Sequence, residues 1–223
     1  MLRTGGAIGL TPYPALLLVL LAVCTYAIIV SLLRIRTAYN WKNAAKKFNG
    51  EIKLKNVTTP ELIHGHIKDR PFVIETAVSN EDDAPYHHTR GAMPISNPST
   101  LIAGLRHKSW REEFQSRKTD DLPFVDNPEF SRLFLSISSD QETFSRILTA
   151  KMQSTLMKYN DVEIYVHADE IEWKRYGLVN DYRSLTTLTD LIYDLALEID
   201  ALPFTPIMSS TRDQREALIS KGV

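Results

Sequence analysis

The chain has 223 residues and balances 26 Lys and Arg against 27 Asp and Glu, for a formal net charge of −1. With 43% hydrophobic residues and one cysteine, it is too apolar for a disordered chain and too poor in cysteine for a disulfide framework. It has no basic excess, so we expect no nucleic-acid partner. The balance conceals two unlike pieces: residues 1–50 carry six basic and no acidic side chains, and residues 51–223 carry 20 basic and 27 acidic ones.

An apolar run near the N-terminus predicts a transmembrane helix over residues 15–33, after a short extracytoplasmic N-terminus at 1–14. This run has no charged side chain, and as a helix it extends about 28 Å, close to the thickness of a hydrocarbon core. A cleaved signal peptide would have a shorter apolar core and small residues at a cleavage site, and a buried core helix is rarely apolar on every face. The predicted anchor residues are Leu16, Leu17, Leu18, Leu20, Leu21, Ile28, Ile29, Leu32 and Leu33.

Basic residues follow the apolar run and predict its orientation. They are Arg34, Arg36, Lys42, Lys46 and Lys47, whereas Arg3 is the one basic side chain before the run. The positive-inside rule then places the N-terminus outside and residues 34–223 in the cytoplasm. We therefore expect a single-pass protein of the cell membrane.

Residues 34–50 are predicted to form a basic juxtamembrane helix. Trp41, Ala44, Ala45 and Phe48 recur at helical spacing, lysines occupy other positions, and Gly50 ends the pattern. The apolar stripe is typical either of a helix packed on its own domain or of one lying on anionic lipid. We favour a stiff stalk that touches the headgroups.

Residues 51–205 are predicted to form one cytosolic domain, followed by a polar tail at 206–223. Alternating apolar residues favour strands over 51–55 and 132–138, and a β-rich run favours one over 70–78. Gly65 and the turn at Asp69 favour a strand over a helix at 61–67, and residues 86–93 and 100–106 are further candidate strands. A long helix over 140–159, a hairpin of 162–167 with 171–176, and a final long helix capped by Asp181 or Ser184 follow. Strands in runs with helices at the end predict the α+β class: a largely antiparallel sheet with two long C-terminal helices.

The order of these elements resembles that of bacterial and archaeal single-pass membrane-anchored proteins of unknown function. The resemblance is carried by the residues 48–51 (FNGE), by Gly65 with the 70–72 step (RPF), by 126–130 (DNPEF), and by Gly177 between the hairpin and the last helix. It implies a membrane anchor with a cytosolic α+β domain over about residues 40–202. It implies no catalytic residues.

Histidines offer the one candidate metal site. His64 and His66 would lie on the same face of a strand, and His87 and His88 could approach from a neighbouring one. Glu75 or Asp69 could then supply a third kind of ligand. The alternative is that these are exposed or hydrogen-bonded histidines on a polar sheet face.

The sequence contains no nucleophile elbow, phosphate-binding glycine loop or dinucleotide fingerprint, so we expect no cofactor. A segment rich in basic and aromatic residues around Trp110 and Phe114 could dock an acidic partner or form an ordinary solvated helix.

Our functional hypothesis is a binding or accessory module for a protein partner at the membrane, and the chain would contact the lipid bilayer through one helix. The alternative is a membrane-tethered enzyme, such as a metal-dependent hydrolase that uses the histidines. The acidic domain should be repelled by anionic headgroups, which favours the protein partner.

Overall fold

The computed structural model describes residues 12–56, 59–79, 86–108, 124–159 and 161–204. A long N-terminal helix, α1 (Pro12–Lys47), leads into an eight-stranded sheet with short helices and a long C-terminal helix. The strands are β1 (Glu51–Asn56), β2 (Thr59–Ile67), β3 (Arg70–Ser79), β4 (Tyr86–Pro94), β5 (Ala103–His107), β6 (Phe134–Ser138), β7 (Val162–Val166) and β8 (Glu170–Tyr176). The other helices are α2 (Pro128–Leu133), α3 (Gln141–Ile147), α4 (Ala150–Leu156) and α5 (Tyr182–Asp200). The predicted α+β class is confirmed.

Helix α1 has two unlike parts in one unbroken helix. The side chains of residues 16–36 are exposed, apart from the half-buried Val30. From Thr37 onward one stripe of the helix is buried in the domain core, with Trp41 completely covered. Of the helices in the described ranges, α1 is the one long and apolar enough to cross a membrane, with a mean hydropathy of 2.9 in its apolar part.

The buried stripe of α1 decides between the two alternatives for the apolar residues of 34–50, in favour of packing on the domain. Trp41, Ala44, Ala45 and Phe48 pack in the domain's own core, so this apolar stripe is not available to lipid. The helix then ends against the sheet: the Gly50 N–H donates to the Ala45 carbonyl at 2.8 Å, and the His66 N–H donates to the Phe48 carbonyl at 3.2 Å.

The sheet has the order β1-β2-β3-β4-β8-β7-β5-β6, and every neighbouring pair is antiparallel. One face is covered, because α1 contacts β1 and β2, α5 contacts β4 and β8, and α3 contacts β6. A row of residues on this face, including Ile63, Ile74, Trp173, Ile164 and Leu105, is fully or almost fully buried. The predicted hairpin is confirmed as β7 and β8.

The helix predicted over residues 140–159 is wrong in one respect, because it divides into α3 and α4. Leu148 leaves the helical conformation at φ −76° and ψ 78°. Thr149 then begins a new helix, and its side-chain oxygen accepts a hydrogen bond from the Met152 N–H at 3.3 Å. The break lets both Ile147 and Leu148 bury their side chains. Within the described residues, the C-terminal half therefore has one long helix and not the two that were predicted.

Of the two predicted caps of the final helix, Asp181 is the one observed, because its carboxylate accepts from the Ser184 N–H at 2.6 Å. Helix α2, in contrast, was not predicted; it starts from Asn127, whose side chain accepts from the Phe130 N–H at 3.1 Å. The segment around Trp110 and Phe114, the loop at 80–85 and the tail at 206–223 lie outside the described residues.

The domain has two ends along the strand direction. At one end, which we call the helix-entry end, the Asn40 amide donates to the Asn180 carbonyl at 2.7 Å. At the opposite end, the distal end, the Arg70 guanidinium pairs with Asp200 at 2.6 Å. Helix α5 runs from the first end to the second, in the same direction as α1. Loops at the distal end are therefore the part of the domain farthest from the apolar half of α1.

Candidate functional site

The face of the sheet opposite α1 and α5, which we call the open face because none of the long helices in the described ranges packs on it, carries a cluster of charged side chains. Alternation along β8 places Glu170, Glu172 and Lys174 on this face, while Ile171 and Trp173 point into the core. Arg90 on β4 lies directly opposite Lys174 in the strand register. The sequence forms this pattern because charged and apolar residues alternate over the first five residues of β8, from Glu170 to Lys174.

Arg90 is the centre of this face and binds three carboxylates. Its Nη1 lies 3.1 Å from Glu75 on β3, and its Nε and Nη2 pair with Glu172 and Glu170 on β8. The other oxygen of Glu172 lies 3.3 Å from the His167 Nε2. This carboxylate is almost completely buried, with 6% of its side chain exposed. One guanidinium therefore ties three neighbouring strands together.

Glu172 and Arg90 hold each other in their charged forms. Burial would raise the pKa of Glu172, but the hydrogen bond and charge of Arg90, with the charge of Lys174, outweigh burial and hold the pKa below its usual value. Burial likewise opposes the charge of Arg90, and the carboxylates around it raise its pKa instead. Glu172 is therefore held as a carboxylate that accepts hydrogen bonds. This arrangement suits binding and orientation more than proton transfer.

His64 and His66 are brought together by the structure. Both side chains are exposed on the open face of β2, and Glu51 lies directly opposite His64 on β1. They line a hollow of about 480 Å³ that reaches across β3 to Pro94 and Glu170. The two histidines lie on one face of the strand, as the sequence predicted, and together they form one wall of this hollow.

A second hollow adjoins the first and contains the Arg90 cluster. It has a volume of about 610 Å³ and shares Pro94 and Glu170 with the first. Its other lining residues are Arg90, His167, Asp169 and Glu172. We call the two hollows together the distal groove, because both lie toward the distal end. The residues that line the two hollows include four carboxylates and one guanidinium. Their formal net charge is −3 when the histidines are counted as neutral.

His87 and His88 are not part of this groove. His88 pairs in register with Ala77, four residues along β3 from Val73, the partner of His64. Four strand residues extend about 14 Å, too far for one metal ion to bind both histidine pairs. His88 is also buried, whereas His87 is exposed.

No group of three His, Cys, Asp or Glu side chains that could hold a metal ion occurs among the described residues. Glu75, one of the possible further ligands, is paired with Arg90 instead. His64 and His66 therefore line the distal groove, whereas His87 and His88 lie elsewhere on the sheet.

The Arg90 cluster was missed by sequence reasoning. The charged alternation of β8 was visible, but its partner strand was not, because β4 and β8 are separated by about 80 residues in the chain. A pairing between distant strands leaves no local signal, whereas the hairpin partners β7 and β8 were visible from their short connection.

No protein-family model matches the chain, and no curated protein matches it. Among solved structures, the chain is similar to the mycobacterial trehalose monomycolate transport factor A, TtfA. The similarity covers 76% of this chain and 98% of the mycobacterial protein, at 12% sequence identity and a TM-score of 0.49.

Proposed function

We propose that this chain is a single-pass membrane protein whose cytosolic domain binds a basic segment of a protein partner in the distal groove. The N-terminus is outside, residues 34–223 are in the cytoplasm, and the domain acts as an accessory module that holds its partner at the membrane.

The observation that carries this proposal is the continuity of α1. Its exposed apolar part is long enough to span a bilayer, and the same helix continues into the domain core at Trp41. Such a helix has no flexible linker between anchor and domain. A domain held in this way keeps a fixed orientation to the bilayer, which suits a protein that positions a partner. The basic residues after the apolar part support the cytoplasmic orientation.

The distal groove supports the choice of surface. It lies on the open face of the sheet, away from the apolar part of α1, and therefore faces the cytoplasm in the proposed orientation. Its excess of carboxylates complements a basic segment, and complementary charge increases both the rate and the selectivity of association. The ion pairs of Arg90 hold its walls in place.

Site-specific photo-crosslinking in intact cells tests the groove. A photo-crosslinking amino acid at position 169 should yield one discrete crosslinked protein, and the same amino acid at position 198 should yield none. Asp169 lines the groove, whereas Glu198 is exposed on α5, on the other side of the sheet. Equal crosslinking from both positions, or none from 169, would contradict the proposal.

Charge reversal tests the basic partner. The double variant Glu51→Lys with Asp169→Lys should reduce recovery of the crosslinked protein after gentle detergent extraction several-fold. The matched control is Glu142→Lys with Glu198→Lys, which makes the same change in net charge on exposed helix positions. If both double variants retain the partner equally, the charge of the groove is not the basis of recognition.

Topology is tested by protease added to intact cells, which should leave the domain undigested.

A further inference from the structure

The first hollow of the distal groove has a floor of short side chains. Val73 of β3 lies opposite Ala92 of β4, and Pro71 and Pro94 lie two residues nearer the distal end on the same two strands. Because β3 and β4 are neighbours in the sheet, the four side chains form one apolar strip along the strand direction of the open face.

Longer side chains enclose this floor. The strand register places His64 and His66 beside it on β2 and Glu170 beside it on β8. Three strand spacings separate these two walls, or about 14 Å. Toward the helix-entry end, the ion pair between Glu75 and Arg90 lies across β3 and β4 and closes the strip. No described residue beyond the two prolines on these strands lines the hollow, so it opens toward the distal end.

The last described residues of the chain lie close to this opening. Asp200, the last residue of α5, accepts from the Ser96 N–H at 2.7 Å and pairs with Arg70 at 2.6 Å. The same guanidinium donates to the Pro94 carbonyl at 3.1 Å. One arginine side chain therefore joins the end of α5 to a residue of the floor. The description continues for four more residues, to Phe204, whose side chain is 74% exposed.

The sequence of the polar tail at 206–223 complements this groove. Ile207 and Met208 are apolar, and the first charged side chain is Arg212, followed by Arg215. The tail has three basic and two acidic side chains and thus a formal charge of +1, opposite in sign to the −3 of the groove. Eight residues separate Arg212 from Phe204 and can extend about 26 Å, which exceeds the distance between the two walls.

We propose that the polar tail binds in the distal groove of its own domain, with Ile207 and Met208 over the apolar floor and Arg212 and Arg215 against the carboxylates. A tethered segment meets its site at an effective concentration in the millimolar range, so a modest affinity is sufficient for occupancy. A basic segment of a partner would have to displace the tail. The inference shares the groove with the proposed function but needs neither the membrane anchor nor the partner.

The exposed side of α5 is also within reach of the tail and also carries carboxylates. There, however, Asp190 pairs with Lys47 at 2.6 Å, and Asp194 pairs with Lys151 at 2.7 Å. The groove has four carboxylates around one guanidinium. The excess of negative charge is therefore larger in the groove, and this difference should decide where the arginines of the tail bind.

Disulfide formation from the tail to either side of the domain tests the inference on the purified full chain. In a Cys24→Ala background, Gln214→Cys is combined with His66→Cys in the groove wall or with Leu197→Cys on the exposed side of α5. None of these changes alters a carboxylate, an arginine or a lysine. Position 197 lies on the helix from which the tail leaves, so chain connectivity alone favours the 197 pair. Loss of free thiols during oxidation in dilute detergent gives the rate, and a non-reducing gel excludes intermolecular disulfides.

At low ionic strength we expect the 66–214 disulfide to form several-fold faster than the 197–214 disulfide. Arg212→Glu with Arg215→Glu should abolish this difference, whereas Arg212→Lys with Arg215→Lys, which keeps both charges, should retain it. Equal rates, a faster 197 pair, or a difference that survives the glutamate substitutions would overturn the inference. Partner crosslinking from position 169 is measured separately in cells, so its failure would leave the disulfide result standing, and the reverse also holds.

Discussion

The indole Nε1 of Trp41 donates a 2.7 Å hydrogen bond to the carbonyl oxygen of Val179. Trp41 is completely buried and Val179 is 3% exposed, so water cannot replace this bond. The bond joins α1 to the segment between β8 and α5, and Asn40 repeats the connection one residue away at Asn180. The angle between the apolar helix and the domain is therefore fixed by one buried and one exposed hydrogen bond as well as by packing.

Replacement of Trp41 should uncouple the helix from the domain. We expect Trp41→Ala to reduce the free energy of unfolding by about 3–5 kcal/mol, because it empties a fully packed site. Trp41→Phe keeps much of the packing but leaves a buried carbonyl without its donor, at a cost of about 1–3 kcal/mol. Urea unfolding in detergent, followed by circular dichroism, measures both. The control Tyr39→Ala, at a site 63% exposed, should stay within about 0.5 kcal/mol of the wild type; an equal loss would refute this role of Trp41.

Gly91 is required by the indole of Trp173, which lies over it across the β4–β8 pair. A Cβ on Gly91 would overlap the indole ring, and Trp173 is fully buried, so the ring has little room to shift. We expect Gly91→Ala to lower the free energy of unfolding by about 1–3 kcal/mol. Trp173→Leu frees that space, so the double variant should lose less than the two single changes added together. Simple additivity in thermal unfolding would show that the two positions do not conflict.

Several strands were predictable because each of them has its own apolar alternation. Ile52 and Leu54 mark β1, and Val162, Ile164 and Val166 mark β7 without reference to any partner. The order of the strands was not predictable, since β4 joins β8 through a contact between distant parts of the chain. The Arg90 cluster depends on that order, so it could be found only with the fold.

The division between α3 and α4 was a different kind of error. Apolar residues continue at helical spacing through Ile147, Leu148 and Met152, and periodicity alone favours one helix. Thr149 favours a break, because its hydroxyl oxygen can accept a hydrogen bond from a backbone N–H in the first turn of a new helix. Capping by a single side chain is a weak signal within an otherwise helical pattern.

This cap can be tested at Thr149. Thr149→Ala removes the acceptor of the Met152 N–H and should destabilise the fold by about 1 kcal/mol, whereas Thr149→Asp, which retains an acceptor, should stay close to the wild type. Thermal unfolding of the two variants measures the difference. Because the Thr149 side chain is exposed, these substitutions change little buried packing, and the difference in stability reports the loss of the capping hydrogen bond. A stability for Thr149→Ala equal to that of Thr149→Asp would mean that the break has another cause.

Glu172 should make the stability of the domain depend on pH in the acid range. Its folded pKa is lowered: burial opposes the charge, but Arg90 and Lys174 outweigh burial. A group with a lowered folded pKa contributes stability above its unfolded pKa, and that contribution is lost as the pH falls through the folded value. For Glu172 the loss begins as the pH falls below about 4.5, its ordinary value.

Substitution isolates this contribution. At neutral pH, Glu172→Gln leaves Arg90 with one fewer carboxylate in a half-buried site, and we expect the free energy of unfolding to fall by about 1–3 kcal/mol. At pH below the folded pKa the wild-type carboxyl is itself neutral, so the difference between variant and wild type should shrink. Urea unfolding over a pH series gives both values. Glu198→Gln, at an exposed position on α5, should follow the wild-type curve at every pH. A Glu172→Gln curve parallel to the wild type across the acid range would show that the pKa of Glu172 is not lowered in the folded domain.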